Sequence, residues 1–257
     1  MAAAQRPGLD LLLNEPPATE PRPGSYGEIY PRRLLAAETI AAARGLVGAR
    51  LVRNGVSGVR VGRIVEVEAY IGTEDLASHA RFGPTKRNAV MFGPPGHAYV
   101  YLVYGMYCCL NVVTEPRGRA AALLVRAIEP LEGADLMRRA REDWAAARTD
   151  RRASDPKSAE RADAARQRVA TLPDVRLASG PGLVCAAFSI GRNEDGADMC
   201  DPAAPLHLEP APAGEPPIEV AFGPRVGIGY APEPWLSKPW RVWMSGNPAV
   251  SGTRARA

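Results

Sequence analysis

The 257-residue sequence contains no CxxC pair: its four cysteines, Cys108, Cys109, Cys185 and Cys200, and its three histidines, His79, His97 and His207, are scattered. Structural zinc sites need ligands clustered at short spacings, so no metal site is expected. No apolar run approaches the roughly 20 residues that cross a bilayer. The N-terminus also lacks the basic start and apolar stretch of a signal peptide. These absences predict a soluble, cytoplasmic protein with no membrane partner. Lysine is scarce as well, with only Lys86, Lys157 and Lys238. Acid and base nearly balance, 28 against 32, and the net charge of +4 permits a polyanionic partner without requiring one. What is present in quantity is apolar surface, 46% of residues, which is enough to bury a core and excludes wholesale disorder.

The basic excess is uneven. Residues 31–60 carry 6 basic and 1 acidic side chains, and residues 138–168 carry 10 and 6. Residues 1–27 hold Pro7, Pro16, Pro17, Pro21 and Pro23 without sustained periodicity and read as a disordered tail, and residues 252–257 read as a short tail at the other end. Pro31 opens a predicted helix that runs through about Leu46, with Gly48 just past its end. From Arg50 to Tyr70 the period becomes two, with Asn54-Gly55 and Ser57-Gly58 as turn signals, predicting a hairpin. A strand pair at 98–104 and 107–114 and a strand at 121–128 follow. Residues 132–170 read as helical with a break around Asp155-Pro156, and a short helix starts at Ser179. A Pro-rich connection spans 201–217, and two last strands fit 218–229 and 239–245. This mixed order predicts an α+β fold: one compact domain over 28–251, built on a curved, mainly antiparallel sheet with surrounding helices and a projecting hairpin.

Within the first hairpin, strand alternation puts Val59, Val61, Val65 and Val67 on one face and Glu66, Glu68 and Tyr70 on the other. Two carboxylates so placed lie about 6 to 7 Å apart along the backbone, close enough to perturb one another if buried. The plainest reading of that polar face is a solvated sheet surface. The second hairpin is unusual. Tyr99, Tyr101, Tyr104 and Tyr107 are four of the chain's eight tyrosines, and Gly105 supplies the turn, so Tyr104 and Met106 are expected at an exposed tip. Rings suit strands and fill cores, but a ring beside the turn glycine favours a wedge that enters a partner.

Long ordered blocks carry a family resemblance. GRIVEVEAYIG (Gly62 to Gly72), SHARFGPTKRNAVMFGPPGHAYVYLVYGMYCCLNVV (Ser78 to Val113) and LLVRAIEPLEG (Leu123 to Gly133) resemble the alkyladenine (3-methyladenine) DNA glycosylases. The likeness resumes at SGPG (Ser179 to Gly182), RVGIGY (Arg225 to Tyr230) and KPWRVW (Lys238 to Trp243). The resemblance implies that Glu68 is a general base activating a water for attack at deoxyribose C1′, with Arg126 and the backbone carbonyl of Val226 helping to hold that water. It implies that Tyr70, His79 and Tyr101 enclose the extruded base, that Asn111 crowds the exocyclic amino group of guanine, and that Tyr104 fills the gap left in the duplex. Gly105 and Met106 would accompany it against DNA.

The chemistry suits these residue types. Alkylation at N3 or N7 leaves a purine cationic, and stacking on tyrosine gains about 0.5 to 2 kcal/mol over an undamaged base. An ionised Glu68 can stabilise an oxocarbenium-like sugar and take a proton from the incoming water. None of the three lysines falls in the matched pocket segments, and a Schiff-base, strand-cutting mechanism needs such an amine. The expectation is a monofunctional, monomeric glycosylase acting on damaged purines in duplex DNA, with no cofactor. The alternatives are a noncatalytic binder of distorted nucleic acid and a carbohydrate glycosidase using Glu66 and Glu68. The chain departs from the family at Leu183, where many members have lysine, and in a longer, arginine-dense stretch over about 138–175. That stretch reads either as a solvated helix or as an added phosphate-tracking arm.

Overall fold

The alternating segment after Arg50 forms β1 (Arg50–Gly55) and β2 (Gly58–Ile71), paired antiparallel from Arg50↔Arg63 to Gly55↔Gly58. This and every other element comes from a computed structural model that describes residues 16, 28–103, 105–149 and 157–252. The expected tails, apart from Pro16 and Gly252, lie outside the described residues, as do Tyr104, Arg151, Arg152 and Pro156. The remaining strands are β3 (Ala98–Val103), β4 (Tyr107–Val113), β5 (Ala121–Glu132), β6 (Ala178–Ser179), β7 (Leu206–Glu209), β8 (Val220–Gly223) and β9 (Arg241–Met244). They form one antiparallel sheet in the order β3-β4-β5-β2-β1-β7; β6 adds to β5, β9 to β2 and β8 to β9. The class is α+β, a single domain. Among the described residues no helix is long and apolar enough to cross a membrane.

Several sequence expectations change here. The single helix from Pro31 to Leu46 is two helices, α1 (Arg32–Leu35) and α2 (Thr39–Leu46). The Leu35 carbonyl accepts the Glu115 N–H at 2.9 Å, and Thr39 bonds to Thr114 and Glu115, so long-range partners break the helix between them. The Pro-rich connection contains β7, whose Leu206 and Leu208 are fully buried while its backbone pairs with β1. The expected strand over 218–229 stops at Gly223, and residues 224–230 form a loop. The short helix, α5 (Pro181–Ala187), begins two residues later than expected because Ala178 and Ser179 pair with β5.

The valine face is also corrected. The β2–β5 register shifts on both sides of Glu66, leaving Val65 and Arg126 without register partners. Such irregularities re-aim side chains. Ile64, Val67 and Ala69 join the main core, whereas Val65 packs with Ala127, Ala249 and Val250 in a separate cluster. The main core lies between the sheet and its helices, with Leu51, Leu110, Leu123, Val125, Ile128 and Phe188 among its fully buried side chains.

The arginine-dense stretch forms α3 (Ala134–Thr149) and α4 (Ser158–Ala170). Several of its described arginines are held by the protein itself. Arg138 donates to the Val169 and Ala170 carbonyls at 2.8 and 3.1 Å and pairs with Asp174, and Arg141 is buried against the Leu177 carbonyl. Arg148 lies over the rings of Tyr107 and Trp144 at 4.5 and 4.6 Å. In the other basic segment, Arg32 pairs with Asp198, Arg50 with Glu215, and the fully buried Arg53 with Glu194. These internal partners consume much of what the composition offered as candidate phosphate contacts.

Candidate active site

Glu66 and Glu68 do share a face of β2 with Tyr70, but that face is not solvated: both carboxylates are fully buried. β9 pairs with β2 at Glu66↔Trp243 and Glu68↔Arg241, and the segment after β9 brings Ser251 over Glu66. The two acids then diverge through their partners. Glu66 Oε1 accepts from Arg126 Nε at 2.8 Å, Arg241 Nε at 2.7 Å and Ser251 Oγ at 2.9 Å, and its Oε2 accepts the Ser251 N–H at 2.6 Å. Burial alone would raise its pKa, but Arg126, Ser251 and Arg241 together hold it below the usual carboxylate value. With four donors it is a fixed anion that anchors β9 and Arg126, and it is tied up as a proton carrier.

Glu68 is differently held. Its Oε1 accepts the Val226 N–H at 2.6 Å and lies 3.2 Å from Arg126 Nη1, while its Oε2 accepts the Tyr70 hydroxyl at 3.1 Å. Burial outweighs the lowering effect of Arg126, the Val226 N–H and Tyr70, and Glu66 adds to it, so the Glu68 pKa is raised. The resemblance implies a water contact for the carbonyl of Val226; the group that bonds Glu68 is its N–H.

Beside this carboxylate lies a cleft with about 340 Å³ of empty space, partly open to solvent, lined by Tyr70, His79, Tyr101 and Asn111 together with Ala77, Ser78, Met91, Tyr99 and Tyr230. All four expected base-pocket residues therefore meet in one place. Ser78 caps the short 3-10 turn His79–Phe82 through the Ala80 N–H, which presents His79 to the cleft. The His79 ring sits 4.4 Å from that of Tyr101, steeply inclined, and its Nδ1 is 3.0 Å from the Tyr99 hydroxyl. Desolvation, then the Arg87 and Arg81 guanidiniums, lower the His79 pKa to about 4, so the ring is neutral near pH 7. Asn111 is buried on β4 and donates to the Tyr99 carbonyl at 3.0 Å, which fixes its amide. Burial, then Glu68, raise the Tyr70 pKa far above its usual value, so its hydroxyl remains a donor.

The hairpin tip is only partly described. Gly105 has φ of 67° and no atom within 4 Å of where a Cβ would lie, as a free turn requires. Met106 is half-buried rather than exposed, and Tyr104 lies outside the described residues. Behind the tip, Tyr107 packs on Trp144 of α3 with ring centroids 5.3 Å apart. A Cβ at Gly182, in the SGPG block, would meet the Tyr107 ring at 2.5 Å, which explains that glycine.

Sequence reading missed Tyr99, Tyr230, Asp75 and Arg225 as parts of the site. Tyr99 carried a signal, since it shares a strand face with Tyr101. Asp75 carried none, because its partner Arg225 is distant in sequence.

A family model described as methylpurine-DNA glycosylase matches residues 33–248. The chain is 43% identical over 223 residues to a protein of Methanocella arvoryzae named "Putative 3-methyladenine DNA glycosylase", covering 87% of this chain and 96% of that one. A Streptomyces avermitilis protein of the same name is 40% identical over 225 residues, covering 87% and 91%. The mouse DNA-3-methyladenine glycosylase is 40% identical over 215 residues, covering 82% of this chain and 58% of the mouse protein.

Proposed function

The chain belongs to the methylpurine-DNA glycosylase family, and on that premise we propose that it rotates alkylated or deaminated purines out of duplex DNA and hydrolyses their glycosidic bond with a Glu68-activated water. As a 3-methyladenine DNA glycosylase it is a hydrolase of N-glycosyl bonds that acts on DNA in repair. The observation that carries the mechanism is the contrast between the two buried acids: Glu66 takes four donors, from two guanidiniums and Ser251, whereas Glu68 is bonded to Tyr70 of the cleft wall, and its Oε2 accepts that one bond alone. A carboxylate oxygen has two lone pairs, so Oε2 keeps an acceptor site for a water proton.

A base within a duplex hides its glycosidic bond, so extrusion must precede chemistry and offset a few kcal/mol of unstacking. The extruded purine enters between Tyr70 on one side and His79 and Tyr101 on the other. A cationic alkylpurine gains from the tyrosine faces, and the neutral His79 adds no opposing charge. As the C1′–N bond breaks, its electron pair leaves with the purine. Positive charge then grows on the sugar beside the anionic Glu68, water oxygen bonds to C1′, and its proton passes to the carboxylate. Arg126, held by Glu66, keeps Glu68 charged and oriented. Tyr104 occupies the vacated stack, with Gly105 and Met106 at the same tip. An abasic site remains. Fixed anionic Glu66 argues against a two-carboxylate sugar hydrolase. All the groups named belong to one copy of the chain, so the proposed chemistry needs no second copy.

The test is release of free purine, in a single turnover, from duplexes carrying 3-methyladenine, 7-methylguanine, hypoxanthine or ethenoadenine. Binding without release from any of them would leave a noncatalytic binder.

A further inference from the structure

Arg225 and Asp75 form an ion pair with both side chains fully buried, 2.6 Å from Arg225 Nη1 to Asp75 Oδ2 and 3.0 Å from Nη2 to Oδ1. The same guanidinium donates to the Ala69 carbonyl at 3.0 Å and the Trp235 carbonyl at 3.3 Å. It lies over the rings of Tyr70 at 4.7 Å and Trp240 at 4.9 Å. Asp75 in turn accepts the N–H groups of Ala77 at 3.0 Å and Ile71 at 3.3 Å.

This pair joins two loops that each deliver part of the site. The loop after β2 holds Asp75, Ala77 and Ser78 and leads into His79. The loop after β8 holds Val226, whose N–H reaches Glu68, and Tyr230, which lines the cleft and donates to the Ala77 carbonyl at 2.9 Å. Arg225 is the chain neighbour of Val226, so any shift of the guanidinium moves that N–H. It also backs the Tyr70 ring, whose hydroxyl reaches the other oxygen of Glu68.

We propose that Arg225, paired with Asp75, is a positioning residue that sets both hydrogen bonds to Glu68 and the pocket face of Tyr70, acting through Val226 and Tyr70 rather than on DNA. This rests on the reading of Glu68 as the base. A planar, bidentate guanidinium that also stacks on two rings cannot be replaced by an ammonium. Full burial keeps it from phosphate, so it adds nothing to the salt dependence of DNA binding.

The test compares wild type with R225K and D75N, and with R225Q, which retains a planar amide. Each is assayed at a temperature where a cooperative thermal transition shows it folded. Single-turnover release of 7-methylguanine is followed against pH, beside duplex affinity at several salt concentrations. The expected result is a rate at pH 6 lowered about tenfold, an acid limb moved up by about one pH unit from weakened hydrogen bonds to the carboxylate, and an unchanged salt slope. Adding E68Q to R225K should cost little beyond E68Q alone, because both changes act on one group. A folded variant with an unmoved acid limb overturns the positioning role, even if its thermal stability falls, and so does a changed salt slope. The two readings fail separately: full release by E68Q removes the base, whereas an inactive E68Q beside an unshifted R225K removes only Arg225.

Discussion

The Tyr70 hydroxyl donates to Glu68 Oε2 at 3.1 Å, so the wall of the cleft and the buried carboxylate form one hydrogen-bonded unit. Tyr70→Phe keeps the ring and its stacking but removes that donor. Single-turnover release should fall about tenfold to hundredfold, with affinity for a lesion duplex within about twofold, since one hydrogen bond to a charged group is worth about 1.5 to 3 kcal/mol. A large loss of affinity at unchanged rate would show that the hydroxyl contacts the base instead.

Glu68→Gln is isosteric: its amide oxygen still accepts the Val226 N–H and its amide N–H can donate to the Tyr70 hydroxyl, while the base is abolished. Purine release should drop by about 10² to 10⁴-fold, the usual range for removing a general base, and binding to damaged duplex should persist. Release at the wild-type rate would sink the assigned mechanism.

The pH dependence follows from the raised Glu68 pKa. Only the ionised carboxylate accepts a proton, and its burial shifts ionisation upward from the ordinary 4.5. Activity on a cationic lesion such as 7-methylguanine, which needs no protonation to leave, should therefore decline on acidification with a midpoint above 4.5. His79, lowered to about 4, should add no inflection near pH 6.5. Measured release rates between pH 4 and 8 decide this, and a midpoint at or below that of a free carboxylate would contradict it.

Asn111 is buried beside Tyr99, and Asn111→Ala should enlarge the cleft where a guanine amino group would otherwise clash. Excision of undamaged guanine should become measurable, whereas unchanged discrimination would remove the gatekeeping role. Its loss also removes the side-chain hydrogen bond to the Tyr99 carbonyl, so stability should fall by about 1 kcal/mol in urea.

Trp144 of α3 is buried behind Tyr107 at the base of the tyrosine hairpin. Trp144→Ala should cost about 3 to 5 kcal/mol in a denaturant titration. It should also slow extrusion, read by a fluorescent base opposite the lesion, more than it slows chemistry after extrusion. An unaltered extrusion signal in the folded variant would separate the added helix from the hairpin.

Much of the sheet was legible in the chain because strand pairing between near neighbours is local. Asn54-Gly55 and Ser57-Gly58 announce the first hairpin, and Gly105 the second. Where long-range partners intervened, local reading failed. The helix after Pro31 is cut by contacts to Thr114 and Glu115, and β7 hides among prolines because its pairing with β1 supplies what propensity does not.

Residue types and their order by themselves determined the α+β class, the family likeness and the group Glu68, Tyr70, His79, Tyr101, Asn111 and Arg126. Those are properties of periodicity and of motif blocks that stay contiguous along the chain. How differently the two neighbouring glutamates are held was decided only by the tertiary structure. Glu66 and Glu68 are equivalent in alternation and spacing, and they become different only when Ser251, Arg241 and Arg126 converge on one and the Val226 N–H and Tyr70 on the other. Buried charge takes its character from its partners, and those of Glu66 lie 60 to 185 residues away in the chain.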